Sequence, residues 1–247
     1  ALPVEVVFAR GVRAGEAGEC LVECPHLNWP ADTRDSVHLG RALGAQDFEI
    51  KAPSGADQVR VRVIGVVENQ APTEALEAVL PVTDGVIEGQ DGVAQIALVE
   101  RHRGTGQVVN AFVKGFGYGP GMAMASTVAH DSHHMIVVGT DRAMMAAAAN
   151  RLAEVGGGVT VWKDGAELSL VELPIAGLMS DSPAAEVAAK AQAMGEAMRA
   201  CGCTLNNAYM QHSLLALVVI PSLRISDLGL VDVTRFALTD LILDPAE

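Results

Sequence analysis

The sequence predicts a layered α/β or α+β domain built on a mixed β-sheet with two main helices. Two observations carry this. From Phe48 to Val113 the chain is rich in β-branched residues punctuated by turn signals, and from Met135 onward short apolar runs alternate with two segments of helical composition. At 247 residues the chain is long enough to bury one large core or two small ones.

The elements follow in order. Pro3 to Val12 reads as a strand running into a turn at Gly11, with Cys20 to Cys24 as the returning strand. Residues 25–46, with Pro25 and Pro30 among many polar side chains, follow neither period, so they read as an irregular connection with a boundary near Ala45. Val59, Val61 and Val63 alternate with Arg60 and Arg62, which gives a strand with one face in the core and one in water. Similar runs at 93–99 and 108–113 are separated by Asp84-Gly85, Asp91-Gly92 and Gly104, the punctuation of antiparallel neighbours.

Met135 to Val138 is continuously apolar, as expected for a strand covered on both faces. The Ala- and Met-rich stretch from Asp141 to Val155 predicts a helix, ended by the glycines at 156–158, which adopt the left-handed stop at no steric cost. Strands follow at 159–162 and 168–173. Ser182 and Pro183 read as the start of a second helix, with Val187, Ala191, Met194 and Met198 on its apolar face and Gly202 near its end. Leu214 to Ile220 forms an apolar run closed by Pro221, and 228–243 holds one or two short final elements.

Charge and composition exclude several functions. Seventeen basic against thirty acidic residues give a formal net charge of -13, which repels nucleic acid and anionic membrane surfaces. Two Trp, two Tyr and five Phe supply few stacking platforms for bases, and no run approaches the roughly 20 apolar residues of a membrane span. A small neutral or weakly basic ligand is the expected partner. The cysteines pair as Cys20 with Cys24 and Cys201 with Cys203, spacings unlike CxxC, so free thiols in a reducing cytoplasm are expected rather than a zinc site. The chain opens at Ala1, directly in a strand-like segment, as a piece of a longer protein would.

One segment concentrates chemistry. His130, Asp131, His133 and His134 place three of the seven histidines and a carboxylate within five residues, between strand-like runs. Imidazole and carboxylate bind metals and move protons, and loops mounted on strands are where such groups act. An Asx-type turn satisfying its own backbone explains the same residues without function. Ser126 and Thr127, just upstream, are candidates for the same surface. A second loop, Leu173 to Asp181, ends in Ser180 and Asp181 before the second helix; ligand contact and ordinary helix capping both account for it. The glycines at 156–158 lack the lysine and spacing of a phosphate loop.

Three of these stretches, in order, carry a resemblance: Ala123 to Gly139 with Ser126-Thr127-Val128-Ala129-His130-Asp131-Ser132-His133-His134, Asn150-Arg151-Leu152 before the glycines at 156–158, and Leu173 to Asp181. With them the chain resembles, nearly end to end, the region that follows the amidohydrolase barrel in bacterial and archaeal adenine deaminases. The resemblance implies that 1–45 is the end of the small amidohydrolase-type β-sandwich and 46–247 the C-terminal-type domain. It implies hydrolysis of adenine to hypoxanthine and ammonia by a hydroxide on a binuclear Mn or Fe centre held by the barrel. No HxH pair occurs in this sequence, and a barrel needs about 250 residues of its own, so no metal ligand is assigned here. His130, Asp131, His133 and His134 are then expected at the mouth of the active site, with Ser126, Thr127, Ser180 and Asp181 on the substrate side. The expected partners are the barrel, in the same or a separate chain, and further copies in a homo-oligomer. Two other readings stay open: a noncatalytic scaffold or oligomerisation domain, and a stand-alone metallohydrolase using the histidine cluster.

Overall fold

Arg10-Gly11 and Ala17-Gly18 each place two successive residues at positive φ, the conformation of tight hairpin turns, and so fold the first segment back sooner than its sequence suggests. The computed structural model describes residues 4–23 and 27–243. Strand β1 (Val6–Ala9) returns as β2 (Val12–Glu16), which pairs with β3 (Glu19–Cys20). The returning strand therefore starts at Val12 rather than Cys20, because the two-residue turn needs only Arg10 and Gly11; Cys24 lies outside the described residues. These three strands belong to a small unit that ends at Pro30. Val4, Phe8, Val12, Leu21 and Leu27 in it are each more than half exposed.

The second unit runs from Ala31. Leu39 and Leu43 belong to its core, so the division of the chain falls after Pro30 and not at Ala45. Its sheet contains β4 (Gln58–Val66), β5 (Thr73–Thr83), β6 (Val86–Ile87), β7 (Val93–Val99), β8 (Val108–Lys114), β9 (Met122–Ser126), β10 (Met135–Gly139), β11 (Gly158–Lys163) and β12 (Ala166–Glu172). The order across the sheet is β12-β11-β9-β10-β7-β8-β4-β5-β6. Neighbours are antiparallel except β4 and β8, which run parallel, so the sheet is mixed.

Helix α1 (Arg142–Glu154) packs on one face, against Ala97, Val99, Ala123, Ala125, Met135 and Val137. The alternate residues Ile96, Leu98, Met122, Met124, Ile136 and Val138 face a second core with α2 (Ala184–Ala200) and α3 (Ala208–Leu214). Covering on both faces is why β10 reads as an unbroken apolar run and why every residue of β7 and β9 is buried. The layered mixed architecture is thus the predicted one, with three α-helices among the described residues where two main ones were expected. A three-stranded sheet of β13 (Leu223–Ser226), β14 (Gly229–Asp232) and β15 (Ala237–Leu238) completes the fold.

Some boundaries differ from the expectation. The apolar run after Leu214 is not an element: α3 ends there, and the chain turns until Pro221. Helix α2 begins one residue after Pro183, so Pro183 rather than Ser182 takes the N-cap position, and no side-chain hydrogen bond caps the helix. Ala191 is exposed, and the buried face of α2 is Met194, Ala197 and Met198. No helix of the described residues is long and apolar enough to cross a membrane.

Candidate functional site

At one end of the central sheet, four connections meet: the turn 127–134 between β9 and β10, the segment after β7 at Glu100-Arg101-His102, the glycines between α1 and β11, and the loop 173–181 after β12. The antiparallel register brings the last residue of β9 opposite the start of β10, and the first of β10 opposite the last of β7. Local sequence alone would leave these segments unrelated.

Within the turn, His130 and His133 are half-buried, Asp131 and Ser132 exposed and His134 buried. The His130 and His133 rings meet edge to face with centroids 5.2 Å apart. His133 Nδ1 accepts the Ala129 N–H at 3.1 Å, which leaves Nε2 to carry the proton of the neutral ring. Burial, then the nearby His130 and Arg101, hold His133 below the usual imidazole range, against the pull of Asp131. Burial and His102 lower His134 in the same way, against Asp227, whose carboxylate lies 3.7 Å from His134 Nε2. Nδ1 of His134 is buried without a partner. His102 tilts over His134 with centroids 4.7 Å apart and bonds the Ser132 carbonyl through Nε2 at 2.8 Å. The turn therefore holds the lowered imidazoles of His133 and His134 beside His130 and an exposed carboxylate, groups that can hydrogen-bond a polar ligand or exchange a proton with it.

Arg101 holds this end of the sheet together, and the sequence reading did not single it out. It is only 2% exposed. Its guanidinium donates to the carbonyls of His133 at 2.5 Å, Ser36 at 2.7 Å and Ala176 at 3.2 Å, one from each of three connections. Among the described residues it forms no ion pair, and burial lowers its pKa to about 10. Glu100, beside it, is buried, which raises its pKa, but the N–H groups of Thr105, Arg103 and His102 outweigh that and hold it at about 2. The charged pair Glu100-Arg101 directly after the strand run 93–99 was the available signal: charges at a strand end inside a covered sheet must be either solvated or caged.

Thr127 and Ser126 are both buried. The Thr127 hydroxyl donates to the Gly177 carbonyl at 2.6 Å and accepts the Gly158 N–H at 2.8 Å, so it fastens the glycine segment and the 173–181 loop to the turn. Ser126 Oγ accepts the Val128 N–H at 3.0 Å. Ser180 Oγ accepts the Ser182 N–H at 3.2 Å, and Asp181 pairs with Arg34 at 2.5 Å. The structure thus gathers His130, Asp131, His133 and His134 into one turn and ties the loop bearing Ser180 and Asp181 to it through backbone contacts. Thr127→Val, similar in shape but without the hydroxyl, is expected to cost about 2 kcal/mol, because it strands buried glycine backbone groups; a urea melt measures it.

The described residues do not fit a binuclear metal centre. No group of three or more His, Cys, Asp or Glu among them is placed to hold an ion. The ring nitrogens with resolved contacts are spent on the Ala129 N–H, the Ser132 carbonyl and Asp227, and converge on no common point. Cys201 and Cys203 are buried free thiols, raised by burial.

Sequence comparison decides what this site belongs to. The adenine deaminase C-terminal domain family matches residues 70–237, from before β5 to the start of β15. The chain belongs to that family. An adenine deaminase 1 of Jannaschia sp. is 74% identical over 241 residues, which is 98% of this chain and 40% of that protein. Adenine deaminases of Ruegeria pomeroyi and Moorella thermoacetica are 72% and 45% identical over 98% and 96% of the chain. The chain spans about 40% of the length of each of these three relatives. As a C-terminal domain of the adenine deaminase family, it carries the histidine turn inside the matched region.

Proposed function

We propose that this domain works as part of an adenine deaminase, converting adenine and water to hypoxanthine and ammonia, and that its histidine turn lines or closes the purine pocket. The observation that carries the reading is the convergence of His130, Asp131 and His133 on one turn, locked by Arg101 and Thr127, in a chain that matches the family over residues 70–237. In this reading the metal-binding barrel is supplied by sequence outside these 247 residues, in the same chain or another, and the family's Mn or Fe centre belongs to it. The cytoplasm is the proposed compartment and a homo-oligomer the proposed assembly.

The turn's own contribution is to the purine. Adenine offers ring-nitrogen acceptors and an exocyclic amine donor. A neutral imidazole N–H can donate to the first and the exposed Asp131 carboxylate can accept from the second, while the turn shields the pocket from water. The exposed apolar side chains of β1, β2 and the segment after β3 support a sheet face that the rest of an amidohydrolase-type β-sandwich would cover.

In the complete enzyme, His130→Ala and Asp131→Asn should each lower kcat/KM for adenine by about 10- to 100-fold with the fold intact. Unchanged turnover in both variants would remove the turn from the reaction. That result would leave the scaffold reading, which predicts altered assembly by sedimentation instead.

A further inference from the structure

Among the described residues no hydrogen bond fixes the His130 ring, whose contact is the edge-to-face one with His133. Its place is therefore set by its backbone. The His130 N–H donates to the Ser213 carbonyl at 2.9 Å, and Ser213 is the last residue but one of α3, completely buried. The final carbonyls of a helix have no partner inside it and must find one elsewhere. The one at Ser213 is spent on the histidine turn.

A second buried arginine holds that end of α3. Arg224, in β13, is only 1% exposed. Its Nη1 donates to the Leu214 carbonyl at 3.0 Å, its Nε to the Ile220 carbonyl at 2.8 Å and its Nη2 to the Ala71 carbonyl at 2.5 Å. Leu214 follows Ser213 directly, and Ala71 lies in the connection from β4 to β5, so one planar fork joins the helix end to two other segments. Thr73, at the start of β5, reinforces the join: its hydroxyl donates to the Leu223 carbonyl at 2.8 Å and its N–H to the Pro221 carbonyl at 2.9 Å. The Ile225 N–H closes it from β13, donating to the Leu215 carbonyl at 3.1 Å. Arg224 thus stands to the His130 end of the turn as Arg101 stands to the His133 end.

We propose that Arg224 is a positioning residue for the histidine turn: it fixes the carbonyl end of α3, and the Ser213 carbonyl there sets where His130 sits. Its effect on turnover rests on the reading of the turn as part of the purine pocket, while the link from Arg224 to His130 does not.

Amide hydrogen exchange and kinetics test the two parts separately. In the 247-residue chain, Arg224→Lys keeps the charge but cannot span three carbonyls, so exchange at the His130 amide should quicken at least about tenfold more than at the amides of β10. Leu80→Ala, a truncation in the separate core beside β4 and β6, should show no such difference. In the complete enzyme, Arg224→Lys should lower kcat/KM for adenine about tenfold, with Leu80→Ala within about twofold of the unaltered enzyme. Should Arg224→Lys fail to fold, Thr73→Val loosens the same helix end and gives the same comparison. Equal quickening at His130 and β10 would overturn the proposal, as would full turnover of the lysine variant in an enzyme that His130→Ala impairs. If His130→Ala itself turns over normally while exchange at His130 responds to Arg224, the catalytic reading of the turn fails and the positioning of His130 stands.

Discussion

Arg101→Met is expected to destabilise the chain by about 3–5 kcal/mol, read as a fall in the urea midpoint at unchanged slope. The guanidinium satisfies three backbone carbonyls, those of Ser36, His133 and Ala176, from segments far apart in sequence. A buried acceptor stranded without its donor costs about 1–3 kcal/mol, and bonds to a charged donor lie at the upper end. Against this, the variant no longer has to desolvate a cation that lacks a carboxylate, the cost visible in the lowered pKa of Arg101. The loss of three bonds is the larger effect. Arg101→Lys should recover less than half of the stability, because one ammonium cannot reach three carbonyls set around a planar fork. Gly177→Ala tests the same cage from outside: its φ is +70°, and a Cβ there would sit 2.8 Å from Arg101 Nη1.

Acidification should destabilise the domain by about 2–3 kcal/mol between pH 6.5 and 4.5, chiefly through His212. This ring is completely buried against Phe116, with Nε2 bonded to the Tyr118 hydroxyl at 2.8 Å and Nδ1 without a partner. Burial pushes its pKa down to about 3. The unfolded chain therefore takes up a proton near pH 6.5 that the native chain refuses until about 3. The stabilisation is complete above pH 6.5 and falls by about 1.4 kcal/mol per pH unit below it. The lowered His133 and His134 add in the same direction. Glu100, held at about 2, adds a lower window: its share is complete above the usual carboxylate range near 4.5 and is lost as pH falls toward 2. His212→Gln keeps a polar partner for Tyr118 and cannot titrate. Urea midpoints measured across this range should fall much less steeply in the variant, and equal slopes would mean that His212 is not held neutral in the fold.

Much of the central sheet was legible because burial on both faces imprints a continuous apolar run at 135–138 and a largely apolar one at 93–99, and because Gly156 to Gly158 mark the end of α1. β5 was not, since Glu74 and Glu77 interrupt its apolar residues at exposed positions of a strand near the sheet edge. α3 was hidden behind the apolar run that follows it, where packing rather than periodicity ends the helix.

The histidine turn stood out by composition alone. Its supports did not, because Arg101, His102 and Asp227 reach it only through strand register and through a loop more than ninety residues downstream. Thr127 was visible as a polar residue, but only the fold shows that its hydroxyl joins two glycine loops.

The most direct measurement is the rate of adenine loss with the purified 247-residue chain, beside the complete enzyme at equal concentration, with the metal content of each determined. The complete enzyme should turn over, and the isolated chain should show neither hypoxanthine formation nor stoichiometric metal. Steady deamination by the isolated chain, abolished by chelation and by His130→Ala, would contradict the account and make the turn a catalytic centre in its own right.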